Sequence, residues 1–345
     1  MHLGAENIVQ LLLAFQCAFF FMLAMRRSRL RPFALLLLAF ALHMVSNLFA
    51  ETDLLPKAYN FTSSFGFLYG PLFLLSLREM TSSDSTMDRY TGFHLLPFFV
   101  SLFFPVGSQV LEVGIALSLF LYATLIARYI LRYRQALENT VTDIAVARIG
   151  WLNKAAVAFG VLAIFDGVRL NFSTWIPIGY QSQYLVTLIG VFLIVNWLIF
   201  KILLFPDLFW GLSEQEFAQS TQLPLNESEP LTHMEKNDLE CAVMYFEKQA
   251  LFLKPHLRLF DFADAIGIEG RELSKLIRRS TGDGFAAFVN RRRIEHAKAL
   301  IKKAGPDANF LKIAFDAGFN SKSAFNAAFK KFSGKTPSQY RHEGD

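Results

Sequence analysis

Two cysteines in 345 residues leave no material for a disulfide framework or a cysteine-built zinc site, since Cys17 lies in an apolar run and Cys241 far along the chain. No P-loop, HExxH, GxSxG or kinase signature occurs, so neither an enzyme activity nor a cofactor or metal is expected. Asp166 has no second intramembrane aspartate to make a protease dyad, and Lys201 sits at the inner end of its apolar run, too shallow for retinal attachment. Charge is also scarce. Only 18% of residues are Asp, Glu, Lys or Arg, against 53% apolar and a mean hydropathy of +0.33, which is more apolar than a soluble protein of this length.

The excess lies in the first two hundred residues. Seven apolar runs there are long enough to cross a bilayer: 7–25, 32–50, 59–77, 90–106, 110–131, 151–172 and 184–204. The fourth is short enough to be re-entrant. No basic stretch precedes the first run and no small-residue cleavage site follows it, so a removable signal peptide is not expected. Arg26, Arg27, Arg29 and Arg31 follow it directly, which puts the N-terminus outside and, after seven crossings, the C-terminus in the cytosol. The remaining loops agree: Arg78, Arg89, Arg128, Arg132, Arg134, Arg148, Lys154 and Lys201 fall inside, Lys57 and Arg169 outside. The expected setting is the cytoplasmic membrane of a bacterium, with the lipid bilayer as a partner.

Few ionisable groups interrupt these runs. Asp166 and Arg169 lie three apart on the sixth, where they either pair with each other or line a site for a small-molecule or lipid signal. His43, His94 and Glu112 are weaker ligand candidates. Ser63, Ser64, Gly66 and Gly70 read as close-packing positions of the third run.

Net charge by segment is +4 for 1–203, −5 for 204–232 and +6 for 233–345. Phe205, Leu208, Phe209, Trp210 and Leu212 form a short interfacial stretch, and 213–233 is an acidic linker broken by Pro224 and Pro230. The domains are thus 1–204, 205–233 and 234–345. Helical periodicity resumes from Met234, and the fold class is all-α throughout.

The last segment carries the most specific pattern. Between Ile313 and Arg341, apolar residues at helical spacing form two blocks, Ile313, Ala314, Ala317 and then Ala324, Phe325, Ala328, Phe329, Phe332. Gly318 suits the left-handed end of one helix, and Asn320 or Ser321 the cap of the next. That is a helix-turn-helix. Phe262, Ala263, Ala265, Ile266 and Gly267, followed by Leu273, Leu276 and Ile277, repeat it upstream. The order I-A, A-G-F, S-x-S-x-F, F-K-K and G-x-T-P-x-x-Y-R resembles the C-terminal signature of AraC/XylS-type transcription regulators over roughly 235–341, about a third of the chain.

Helical geometry places the recognition helices at 270–279 and 321–331. Burial of Leu273, Leu276 and Ile277 points Arg271, Ser274 and Lys275 outward, and burial of Phe325, Phe329 and Phe332 does the same for Lys322, Ser323 and Asn326. The resemblance implies that these six, with Ala327, occupy base-contact positions. Asn326 suits either an adenine or a phosphate. Arg278, Arg279, Lys330, Lys331, Lys335 and Arg341, with the helix N-terminus capped by Ser321, are the phosphate candidates. The joining helix, about 285–303, holds the two readers about one DNA turn apart, roughly 34 Å. Its Arg293 reads as structural, Arg291 and Arg292 as solvated or phosphate-facing.

The expected function is therefore a membrane-embedded one-component regulator that senses through its apolar bundle and binds promoter DNA, with a second copy of the chain on DNA as a candidate partner. The alternatives are a transporter or membrane enzyme with a fused DNA-binding tail, and an anchor released by proteolysis at the linker.

Overall fold

The computed structural model describes residues 4–52, 61–82, 91–104, 109–140, 142, 154, 157, 158, 160, 161, 165, 179–204, 216–217, 231–305 and 309–342. The described residues are helical, without strands. They divide into two compact units, one of residues 1–130 and 150–213, the other of 131–149 and 214–345. The segment 131–149, expected to belong with the apolar part of the chain, groups with the C-terminal unit.

The first unit contains α1 (Ala5–Met25), α2 (Arg31–Glu51), α3 (Gly66–Thr81), α4 (Leu96–Ser101), most of α5 (Gln109–Thr140) and α6 (Tyr180–Leu204). Leu13, Cys17, Ala34, Leu37, Phe40, Leu198 and Ile199 share one core, and small Ala34 and Cys17 let α1, α2 and α6 approach closely. Polar groups inside this apolar bundle are used between helices. Gln16 and Asn196 exchange hydrogen bonds of 2.6 and 3.2 Å across α1 and α6, and Asn7 and Gln10 donate to Glu51 at 2.7 and 3.0 Å. His43 stacks on Phe65 and bonds to the Tyr69 hydroxyl, while His94 bonds to Tyr122 at 2.8 Å, so both histidines have packing partners. Glu112 is exposed.

Gly66 and Gly70 of α3 face α5, where a β-carbon would lie 2.8 Å from Ile115 and 2.6 Å from Tyr122. Close packing is what the sequence predicts for these two positions.

Among the described residues, four helices are long and apolar enough to cross a membrane by length and composition: Ala5–Met25, Ser28–Glu51, Gln109–Thr140 and Gln181–Ile202. Seven were expected. The third run yields a 16-residue helix with Pro71 inside it. In the fourth, a 3₁₀ turn at Thr91–Leu95 precedes six α-helical residues that begin around Pro97. Proline lacks the amide that a continuing helix needs, so it starts α4 rather than extending the turn before it. The sixth run, with Asp166 and Arg169, lies largely outside the described residues, as does most of the 205–233 linker.

Helix α5 has 32 residues, about 48 Å at 1.5 Å per residue, well beyond the roughly 30 Å of a hydrocarbon core. Its apolar part ends near Ile130. The continuation Leu131–Thr140 stays helical because Arg, Gln, Ala, Leu and Glu are strong helix formers.

In the C-terminal unit, α7 (His233–Lys248) starts in a capping box in which Thr232 and Glu235 bond reciprocally. It is followed by α8 (Leu259–Ile266), α9 (Gly270–Thr281), α10 (Phe285–Ala304), α11 (Phe310–Asp316), α12 (Lys322–Ser333) and α13 (Pro337–His342). Two cores form, one per helix pair. Phe246, Phe262, Leu273, Ile277, Phe285 and Val289 make the first, and Ile294, Ala297, Ile301, Ala314, Phe319, Phe325 and Phe329 the second. Helix α10 contributes to both. Each fully buried phenylalanine contributes about 1.5–3 kcal/mol of transfer free energy.

Candidate nucleic-acid interface

The two helix-turn-helix units are built by the same local chemistry. Helix α8 ends at Gly267 (φ +71°) and α9 at Gly282 (φ +72°), while Gly318 (φ +86°) turns the chain between α11 and α12. Gly318 is doubly constrained, because a β-carbon there would also lie 2.5 Å from the Phe252 carbonyl oxygen. Asn309 caps α11 by accepting from the amides of Leu311 and Lys312, and Ser321 caps α12 by accepting from Ala324 at 3.2 Å. The sequence left this second cap open between Asn320 and Ser321. Ser321 fills it, and the Asn320 amide lies 2.7 Å from Nδ1 of His256 instead.

Helix α12 presents a continuous polar face. Lys322, Ser323, Asn326, Ala327 and Lys330 are all exposed, while Phe325, Ala328 and Phe329 are buried on the other side. Basic groups flank this face. Lys331 lies over the Phe332 ring at 5.3 Å and Arg341 over Phe310 at 5.1 Å, so their stems pack on the second unit; Lys335 is exposed.

Helix α9 differs. Arg271 is exposed and Lys275 half-buried, but Ser274, expected to face outward, is only 3% exposed and its Oγ has no hydrogen-bond partner. The buried arc of α9 comprises Gly270, Leu273, Ser274, Leu276 and Ile277, two positions more than the three apolar residues alone imply. The phosphate candidates at its end have protein partners. Arg278 Nη2 donates to Asn139 Oδ1 at 2.6 Å, and Arg279 Nη1 to Glu235 Oε1 at 2.5 Å with only 8% of the arginine side chain exposed. This ion pair ties the first turn of α7 to the last turn of α9.

On α10, Arg293 is fully buried. Its Nε donates to the Phe252 carbonyl at 2.7 Å, and its Nη2 to the Lys254 carbonyl at 2.8 Å and to Thr142 Oγ1 at 3.4 Å. The guanidinium also lies 5.5 Å from the Phe319 ring centre. Its structural role is the one read from the sequence, but the partners are carbonyls of a neighbouring loop. Arg292 pairs with Glu247 at 2.5 Å, and Arg291 pairs with Asp283. Asn139, Thr142 and Glu235 were not singled out in the sequence. Only Glu235 had a readable signal, the T-x-x-E spacing of its capping box.

Among the described residues no group of three or more His, Cys, Asp or Glu is placed to hold a metal.

Residues 262–343 match a family model described as a helix-turn-helix domain. An uncharacterized HTH-type transcriptional regulator of Staphylococcus aureus strain MSSA476 is 39% identical over 85 residues, which is 25% of this chain and 11% of the relative. The Msm operon regulatory protein of Streptococcus mutans is 26% identical over 122 residues, 34% of this chain and 43% of that protein. The chain thus spans between about a tenth and under half of the length of these relatives. No solved structure matches the chain. The C-terminal part of the chain carries a helix-turn-helix domain of AraC type.

Proposed function

We propose that the chain is a one-component transcription regulator embedded in the cytoplasmic membrane of a bacterium, with its N-terminus outside and its helix-turn-helix domain in the cytosol. The observation that carries the DNA-binding half is the exposed polar face of α12, where Lys322, Ser323 and Asn326 stand together above a phenylalanine core. Lysine and asparagine are side chains that read guanine and adenine edges in the major groove. Arg271 and Lys275 present the corresponding positions of α9. Helix α10, with 20 residues, is about 30 Å long, close to the spacing of successive major grooves. Both named relatives are described as transcriptional or operon regulators, which favours the same role here.

The membrane half rests on outward-facing apolar surface. On α1, Ile8, Leu12, Phe15, Phe19 and Met22 recur at helical spacing on the exposed side, and α5 exposes Val113, Leu117, Phe120 and Leu121. Such surface is stable against lipid and costly against water. A signal at this bundle, a small molecule or a lipid, alters how the tails are presented to DNA, and two tethered tails on neighbouring half-sites gain effective concentration from the tether.

The test is selection from a random-sequence duplex pool by the full chain in detergent micelles, across a salt series. An enriched sequence, bound more weakly as salt rises, is expected. Uniform binding of the pool that vanishes with salt would rule out sequence reading. Cytosolic labelling of an epitope at the C-terminus checks the orientation; labelling from outside would overturn it.

A further inference from the structure

The first recognition helix is held by a segment that sequence reading assigns to the apolar half. The polar end of α5 is packed into the C-terminal unit, where Tyr133, Ala136, Leu137, Asn139 and Thr140 are all less than 5% exposed. Asn139 Oδ1 accepts from Arg278, and the backbone passes so close to Gly284 that a β-carbon there would lie 2.9 Å from Asn139 Oδ1 and 3.0 Å from the Glu138 carbonyl. Thr142 continues the contact. Its amide and hydroxyl donate to the Leu257 carbonyl, and its own carbonyl accepts from Asn290 at 2.9 Å.

Arg278 of α9 is poorly served by this arrangement. Ser274 Oγ and Arg278 Nε are buried without a hydrogen-bond partner, and the two residues lie four apart on one face of the helix. A guanidinium at a recognition helix that offers one bond to a neutral amide and hides another donor is not in its best environment. A phosphate oxygen accepts a charge-assisted bond, stronger than the one Asn139 offers.

From this juxtaposition we infer that the Leu131–Thr140 end of α5 is an intramolecular competitor of DNA: docked, it keeps Arg278 from the phosphate backbone, and its release frees that end of the first reading helix. The inference rests on the DNA-reading assignment above. Because the same helix runs without a break into a candidate membrane span, the release has a covalent route from the apolar bundle that needs no additional messenger.

Cross-linking the full chain tests this. In a C241S background, N139C with G284C puts a thiol on each side of the close approach between Gly284 and the Glu138–Asn139 segment. The expected result is ready oxidation, loss of at least tenfold in affinity for the enriched duplex, and recovery on reduction. A disulfide that forms without changing affinity overturns the competition, and failure to oxidise overturns the docked contact. A reduced protein that binds no duplex at all sinks the DNA-reading assignment, and the inference with it. N139D and N139A serve as a second pair that does not rely on Gly284. The carboxylate should strengthen the hold on Arg278 and weaken DNA binding, the alanine should do the reverse, and equal affinities for the two would refute the proposal.

Discussion

In the second helix-turn-helix unit Lys322, Ser323, Asn326 and Lys330 stand open to solvent, whereas in the first Ser274 is buried, Arg278 is bonded to Asn139 and Arg279 to Glu235. The two units share a plan, a short helix, a glycine turn and a recognition helix laid over a phenylalanine core. What differs is where each obtains its support. The recognition helix of the second unit is supported mainly by that unit's own residues, with Phe319, Phe325, Phe329 and Tyr340 in an edge-to-face series of 5.5 Å spacings. The first is braced by residues far away in sequence, Glu235 on α7 and Asn139 and Thr142 beyond the apolar part of α5. A reading face whose own side chains are bonded to no other element is constantly available. One that shares its side chains with other elements is available only when they let go.

The largest effect that separates the units is a cavity in one core. Phe325→Ala removes a fully buried ring and should cost about 3–5 kcal/mol. Because the two cores are distinct clusters, linked through α10 and through the contacts of Gly318 and Asn320 with the Phe252–His256 segment, amide protection should fall most across α11–α13 and persist in α8 and α9. Equal loss in both would mean that the units fold as one.

Next comes the residue that connects the regions. Arg293→Met leaves the carbonyls of Phe252 and Lys254 without their donor in a buried site, at roughly 1–3 kcal/mol for each, so a loss of about 2–5 kcal/mol is expected in urea unfolding. Arg291→Ala and Arg292→Ala, which break partly exposed pairs, should cost less than about 1 kcal/mol each. A large cost at Arg292 would show that its pair with Glu247 is part of the core.

The comparison makes its sharpest claim about DNA. Asn326→Ala should relax base preference by about 1–3 kcal/mol at one position of the enriched sequence. Ser274→Ala removes a hydroxyl that is buried and unpartnered, so it should leave preference and stability close to those of the parent chain. If Ser274→Ala relaxes the preference as much as Asn326→Ala does, α9 reads DNA with its surface rearranged from the one described here.

Much of the second unit was legible in the sequence, because its devices are local. The turn at Gly318, the Ser321 cap and the inward phenylalanines are all set within a few residues of one another, and α12 begins and ends within two residues of the expected 321–331. Arg278 and Arg279 read as phosphate ligands from the local pattern alone, which does not announce their protein partners. Those partners lie 139 and 44 positions away. In the apolar half, hydropathy finds runs of the right length but is blind to proline. The run at 90–106 therefore read as a span or a re-entrant segment, although its described residues form a 3₁₀ turn and then six α-helical residues that start beside Pro97. The same measure stopped α5 at residue 131, where the polar stretch with Arg132, Arg134 and Glu138 follows, although those residues favour a helix as strongly as the apolar ones before them.

The smallest effect concerns the brace on α9 rather than its reading face. Glu235 accepts from the Thr232 amide at 2.7 Å and from Arg279, and the backbone bond, more than the arginine, holds its carboxyl below the usual carboxylate range. A depressed carboxyl contributes stability that is fully present above the ordinary carboxylate pKa and is lost as the pH falls through the folded value. The first turn of α7 should therefore keep its protection at neutral pH and lose part of it in acid. Glu235→Gln should lower the neutral-pH protection of the Lys236–Leu239 amides and flatten its acid dependence, while Ser274→Ala leaves both unchanged. If acid weakened α7 equally in the Gln variant, the pairing would not be the cause. The brace would then be apolar packing of Ala242 and Phe246, which does not titrate, and the difference between the two units would persist at every pH.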